Sequence, residues 1–187
     1  MPMPDRRDLL AGAGLFFGAS LSPPLARALA AADNQGGFTA SHAVFNDAQR
    51  ALVTAISDRI LPATDTPGAV AAGVLAFIEM MQADWYSPGD RMDFLAGLAA
   101  LDDFALKEDG KLFAALAVEQ QDKVLTTAMH GMMPGLASGF FNHCRQLVML
   151  GYYTSEIGCK QERDDLPVPG RYDGAYPYAQ VGRIFAS

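Results

Sequence analysis

Apolar residues recur at helical spacing through most of the chain, and this pattern limits the fold more than any other feature. Five segments between residues 46 and 157 carry such stripes, and Pro, Gly or helix-capping residues bound them. The sequence therefore predicts an all-α fold. We expect a single small helical domain of about five helices, followed by a long irregular C-terminal tail.

The stripes and their boundaries place the individual helices. Ser87-Pro88 is a strong start signal, because Ser caps a helix and Pro suits its first position. The helices are predicted at about residues 47–61, 69–86, 88–109, 117–130 and 136–157. The side chains expected to face the core are Leu52, Ile56, Ile60, Val74, Phe77, Ile78, Met81, Trp85, Phe94, Leu95, Leu98, Leu101, Val124, Leu125, Ala128, Phe140, Phe141, Cys144, Leu147, Val148 and Tyr152.

The first thirty residues have the order of an export signal. Arg6 and Arg7 precede an uncharged apolar run at 9–21, and small residues around Ala28 and Ala30 form cleavage sites. The run is too short to span a bilayer, which needs about 20 residues. Paired arginines before a mildly apolar run favour the twin-arginine pathway, although Asp5 stands where Ser or Thr is usual. A disordered N-terminus and an uncleaved anchor are the alternatives.

Charge narrows the range of partners. Without residues 1–30 the chain keeps 11 basic and 19 acidic residues, because three of its 14 basic and two of its 21 acidic residues lie in the signal. The resulting net charge of −8 argues against nucleic acid and anionic membranes as partners, since both attract positive charge.

Three further regions follow the signal at residues 1–30. Residues 31–44 are predicted to be a polar linker, 45–158 the helical domain and 159–187 an irregular docking tail. The tail is rich in Pro and Gly, yet too aromatic for a solvated segment. Its rings must therefore pack on the chain's own helices or on a partner. The candidate interface residues are Tyr172, Tyr176, Tyr178 and Phe185.

No group of residues in the sequence has the spacing of a catalytic or metal site. His42, His130 and His143 share no helical face, and the adjacent His143 and Cys144 would point about 100° apart on a helix. Asp102-Asp103 and Asp164-Asp165 lack the ligand spacing of a calcium loop, and solvated surfaces are the simpler interpretation. We predict no catalytic, cofactor-binding or metal-binding residue in this chain.

The two cysteines, Cys144 and Cys159, leave several pairings open. In an oxidising compartment they could bond to each other, bond to a partner subunit or stay free. An internal bond would require the chain to reverse after the fifth helix. A bond from Cys159 to another subunit is the alternative.

Two stretches resemble the gluconate 2-dehydrogenase subunit 3 family. The first has RILP at 59–62, a loop of Thr, Pro, Gly and Ala, AGV at 72–74 and FI at 77–78. The second has GYYTSE at 151–156, followed by PGRYDG at 169–174. The resemblance covers most of residues 45–187, and the two motifs occur in the family's order.

The resemblance implies the small subunit of a periplasmic FAD-dependent dehydrogenase of the glucose–methanol–choline type. Such a chain assists the assembly and twin-arginine export of a large flavoprotein that oxidises a sugar, polyol, glycoside or aldonate. A multi-haem cytochrome c subunit often receives the electrons. FAD and haem c would thus belong to partner subunits, and this chain would have neither cofactor nor active site.

Two other functions stay open at this point. One is a free-standing periplasmic ligand-binding protein or enzyme, which would need a pocket that sequence cannot show. The other is a structural or adhesion module.

Overall fold

The computed structural model describes residues 37–163, Pro177 and the backbone of residues 164, 165, 185 and 186. It confirms the predicted all-α class. Single helical turns lie at Met81–Trp85, Phe113–Ala115 and Gly158–Glu162, and a two-residue strand, β1 (Asp164–Asp165), pairs in parallel with β2 (Phe185–Ala186). The α-helices are α1 (Asp47–Ile60), α2 (Val74–Met80), α3 (Pro88–Asp109), α4 (Val118–Met129) and α5 (Phe140–Tyr153).

Local capping explains where α1 and α3 begin. The Asn46 side chain accepts a hydrogen bond from the Gln49 N–H, and the Gln49 side chain accepts one from the Asn46 N–H. The Ser87 hydroxyl oxygen likewise accepts from the Asp90 N–H. Both starts agree with the prediction, because caps depend on neighbours in the sequence.

The prediction for the second helix is wrong in two respects, namely where the helix begins and whether Trp85 faces the core. Turns occupy residues 69–73, and α2 then passes into a π-helical turn at Met81–Trp85. A π-turn places more residues in each turn than an α-helix, so it rotates the following side chains out of the 3.6-residue stripe. Trp85 is consequently 75% exposed, whereas Val74, Phe77 and Ile78 are buried as predicted.

The predicted fifth helix is shorter at both ends. Gly139, with φ +90°, is the N-cap of α5, and a turn at 154–155 ends the helix. Helical structure resumes and continues as a π-turn to Glu162. The start of the segment predicted as an irregular tail is therefore helical.

The helices share one apolar core. Of the side chains predicted to face it, Ile60, Met81, Leu95 and Phe141 are only partly buried, and Trp85 is the clear exception.

The described part of the predicted linker has no helix or strand, but it packs against α2. The Phe38 ring contacts the Phe77 ring edge-on at 5.0 Å, and the Val44 and Phe45 N–H groups donate to the Glu79 carboxylate.

The loop between α4 and α5, residues 130–139, lies mainly in solvent. The Gly131 N–H donates to the Ala128 carbonyl and the Met132 N–H to the Thr127 carbonyl, each at 3.1 Å, which closes the end of α4. Met133 is the buried residue of this loop, and Leu136 is partly buried.

Candidate functional site

The two motifs that carry the family resemblance meet in the structure. The loop after α1 is closed by the Ala69 N–H, which donates to the Leu61 carbonyl at 2.9 Å. Tyr152, near the end of α5, donates its hydroxyl to the Pro67 carbonyl at 2.9 Å. Residues 85 positions apart are thus joined, and we call this contact region the motif junction.

Glu162 completes the motif junction from the π-turn after α5. The Thr66 hydroxyl donates to a Glu162 carboxylate oxygen at 2.6 Å, and the Tyr152 hydroxyl lies 3.5 Å from the same oxygen. Burial raises the pKa of the Tyr152 phenol, so the group stays a hydrogen-bond donor at neutral pH. These bonds hold the loop and the end of α5 in one arrangement.

Close backbone approach at Gly158 shapes the same region. The Ser155 hydroxyl donates to the Tyr152 carbonyl at 2.6 Å and accepts from the Gly158 N–H at 3.0 Å. A Cβ atom on Gly158 would lie 2.0 Å from the Tyr152 carbonyl oxygen. Only glycine fits without moving the backbone.

Replacing Gly158 by alanine should therefore destabilise the chain by about 2–3 kcal/mol, although alanine favours helices more than glycine does. Urea denaturation followed by circular dichroism measures this change. Gly89→Ala is the matched control, because the nearest atom to a Cβ there is 3.7 Å away. Equal stability of the two variants would contradict the close approach at Gly158.

Arg163 marks the point where the chain leaves the motif junction. Its guanidinium donates to the Tyr153 carbonyl and lies 5.3 Å from the centre of the Tyr153 ring. This cation–π contact fixes the direction of the chain into β1. The first residues of the predicted docking tail are therefore held against α5.

Comparison with known protein families identifies the family of this chain. The profile of the family described as gluconate 2-dehydrogenase subunit 3 matches residues 47–170, more than half of the chain. The chain belongs to the gluconate 2-dehydrogenase subunit 3 family. Comparisons with curated proteins and with solved structures gave no significant match.

The polar groups of the motif junction of this subunit 3 family member make their hydrogen bonds within the same region. The hydroxyls of Thr66 and Tyr152 both donate to groups of the same region, and Glu162 accepts from Thr66. These hydrogen bonds join the loop after α1 to the end of α5.

The structure keeps the three histidines apart. The His42 ring is 2.9 Å from the Ser41 hydroxyl, and the ring of His130 is 2.9 Å from the Thr126 carbonyl at the end of α4. The His143 ring lies 2.8 Å from the Tyr86 hydroxyl, between α2 and α5. None of these contacts joins two histidines.

Burial lowers the pKa of His143, while the charge of Asp90 opposes this effect. The unfolded chain, with a pKa of about 6.5, therefore binds the proton more tightly than the folded chain. The stability contributed by neutral His143 is complete above that value and is lost as pH falls through it towards the folded pKa.

We therefore expect the urea midpoint to fall between pH 7.5 and pH 5, and His143→Gln to reduce this fall. His130→Gln, at an exposed histidine, is the control, and its urea midpoint should fall as far as that of the unmodified chain. An identical pH dependence in all three chains would exclude a contribution from His143.

The prediction that Asp102 and Asp103 both lie on a solvated surface is wrong for Asp102. Asp103 is exposed, but Asp102 is half-buried and accepts a hydrogen bond from the Phe113 N–H at 3.0 Å. Burial raises the pKa of Asp102, whereas this hydrogen bond lowers it. Asp102 thus holds the short turn at Phe113–Ala115.

Both cysteines are free thiols in this structure. Cys144 is buried in the core, where burial raises the pKa of its thiol to about 12. Cys159 is half-buried in the π-turn and lies 3.3 Å from the Tyr153 carbonyl. Cys144 could bond to a partner only if the core opened, so an intersubunit disulfide remains a prediction for Cys159 alone.

Several predicted site residues lie outside the described part of the chain. These are the signal arginines Arg6 and Arg7, the cleavage residues Ala28 and Ala30, and the tail residues Tyr172, Tyr176 and Tyr178. Phe185 is described only through its backbone in β2.

The described residues contain no group of three or more His, Cys, Asp or Glu side chains that could hold a metal ion. None of their helices combines the length and the apolar character that crossing a bilayer requires.

Proposed function

We propose that this chain is the non-catalytic small subunit of a periplasmic FAD-dependent dehydrogenase complex. Its task is to assist the assembly of the catalytic flavoprotein and to carry it through the twin-arginine pathway. The observation that carries the proposal is the subunit 3 family match over residues 47–170. The complex would oxidise a hydroxyl of a sugar, polyol, glycoside or aldonate.

The cofactors of this complex would lie in the partner subunits. FAD belongs to the catalytic flavoprotein, and haem c to a third, cytochrome subunit where one is present. The flavoprotein must fold around FAD before export, so it must cross the membrane folded. A folded partner without its own signal needs a subunit that has one, and Arg6 and Arg7 would supply that signal.

Purification tests the proposal most directly. The full chain, carrying an affinity tag and taken from the periplasm of its native host, should bring down a yellow flavoprotein with dehydrogenase activity. A colourless chain with activity of its own would contradict the proposal and favour a free-standing periplasmic enzyme.

Replacing Arg6 and Arg7 by lysine should leave both subunits in the cytoplasm, because the twin-arginine pathway reads this pair. Dehydrogenase activity and flavin absorbance of the periplasmic fraction should fall to background. Arg27→Lys, beyond the apolar run, is the matched control and should export normally. Arrival of the flavoprotein in the periplasm with the double variant would refute the carrier role.

A further inference from the structure

The π-turn at the end of α2 presents the chain's single tryptophan to solvent. Trp85 is 75% exposed. In the same turn Gln82 is completely buried, and its amide has no hydrogen-bond partner among the described residues. Both features cost free energy. π-Turns occur frequently at functional sites.

Trp85 projects from a backbone that its neighbours hold in place. The Arg91 guanidinium donates to the Gln82 carbonyl at 2.6 Å and to the Ala83 carbonyl at 3.1 Å. On either side of Trp85, Asp84 accepts a hydrogen bond from the Ser41 N–H at 3.2 Å, and the Tyr86 hydroxyl contacts His143. A partner that binds here meets a preorganised tryptophan, so little backbone entropy is lost on binding.

Two exposed apolar residues follow Trp85 in the first turns of α3. Pro88 and Met92 are four positions apart, which places them on one face of the helix with Cα atoms about 6 Å apart. Trp85 and Pro88 are three positions apart in the sequence, so their Cα atoms are at most about 11 Å apart. The three residues therefore fit within one interface of ordinary size.

Exposed carboxylates lie close to these apolar residues in the sequence. Asp84, Asp90 and Asp93 are all exposed, and the one basic residue among residues 84–93, Arg91, is committed to backbone carbonyls. The segment thus carries a net charge of −2. A partner face with lysine or arginine around an apolar pocket would match it.

We propose that Trp85, Pro88 and Met92, with the surrounding carboxylates Asp84, Asp90 and Asp93, form the docking surface for the catalytic subunit. We call this set the Trp85 surface. The identity of the partner rests on the proposed function. Its complementary face would hold an apolar pocket bordered by basic residues, and Trp85 would fill that pocket as the central anchor.

Trp85→Ala should weaken binding of the flavin-containing catalytic subunit to the full chain by about thirty-fold or more, as for buried anchor residues of other interfaces. Met132→Ala is the matched control, because Met132 is 65% exposed but lies in the loop after α4. Both variants should keep the thermal midpoint of the unmodified chain, since neither side chain belongs to the core.

The charge of the surface gives a second test. Asp93→Lys should slow association with the catalytic subunit and reduce its salt dependence, because the steering charge is reversed. Glu108→Lys makes the same change in charge at an exposed position near the other end of α3 and should leave both quantities unchanged.

The outcomes separate this inference from the proposed function. If the unmodified chain does not bind the catalytic subunit, the proposed function fails. If it binds and Trp85→Ala binds as tightly as Met132→Ala, the Trp85 surface is wrong and the proposed function stands. A dimer of the chain alone that Trp85→Ala abolishes, with flavoprotein binding intact, would reassign the surface to self-association.

Tryptophan fluorescence tests whether the chain covers its own surface. Iodide should quench the single tryptophan freely in the isolated full chain and much less in the complex. Shielding in the isolated chain would show that another part of the same chain covers Trp85, which would overturn the proposal.

Discussion

Replacing Glu79 by alanine should lower the free energy of unfolding by about 3–5 kcal/mol, because two main-chain N–H donors and the half-exposed Arg50 guanidinium lose the acceptor they share. The Glu79 side chain is 7% exposed and lies 2.7 Å from the Arg50 guanidinium. It also accepts hydrogen bonds from the N–H groups of Val44 and Phe45. The variant would leave all three donors without this acceptor.

Urea denaturation measures this loss, and Glu108→Ala is its control. Glu108 is exposed on α3, so its removal should change stability by less than about 0.5 kcal/mol. The free energy of unfolding of Glu79→Gln should lie between those of the two alanine variants, because the amide oxygen still accepts hydrogen bonds but the charge is lost. Equal stability of Glu79→Ala and Glu108→Ala would mean that Glu79 does not tie residues 44–50 to α2.

Phe113→Ala should also destabilise the chain by about 3–5 kcal/mol, because it opens a cavity in the centre of the core. Phe113 is the largest of the fully buried side chains in the described part of the chain. Its backbone is held on both sides, since its N–H donates to Asp102 and its carbonyl accepts from the Gln121 side chain. The short turn cannot easily collapse into the cavity.

Thermal and urea unfolding of Phe113→Ala should be compared with Leu112→Ala. Leu112 precedes Phe113 but is half exposed, so the control should lose well under 1 kcal/mol. A small effect of Phe113→Ala would indicate that the turn moves inward and refills the space.

The sequence predicted those features that depend on neighbouring residues. The starts of α1 and α3 follow from caps at Asn46 and Ser87, and the end of α3 follows from Gly110 in a left-handed conformation. The stripes of α1, α3, α4 and α5 predicted most of the core, because 3.6-residue spacing fixes the side of a regular helix.

Features that depend on distant residues or on irregular turns were not predictable. The π-turn directs Trp85 outward, because it departs from the constant 3.6-residue spacing on which the prediction rests. No residue pattern at 81–85 predicts such a turn. The burial of Phe113 depends on Asp102 and Gln121, eleven and eight positions away. A short turn by itself has no period from which burial can be inferred.

The candidate site was predictable as two motifs but not as one junction. Tyr152 lies in a motif noted from the sequence and was expected in the core. Its bond to the Pro67 carbonyl and the contact of Thr66 with Glu162 appear only in three dimensions. Glu162 had no sequence signal, because it follows the GYYTSE stretch in a segment predicted to be irregular.

The exposed loop between α4 and α5 has a practical consequence for testing these ideas. Exposed loop tips of small and polar residues tolerate insertions, whereas buried backbone does not. Pro134 and Gly135 are both exposed, and the buried Met133 lies just before them. A short epitope placed between Pro134 and Gly135 would leave residues 1–30 and 159–187 unchanged, so a labelled chain could be used to test the proposed export and assembly.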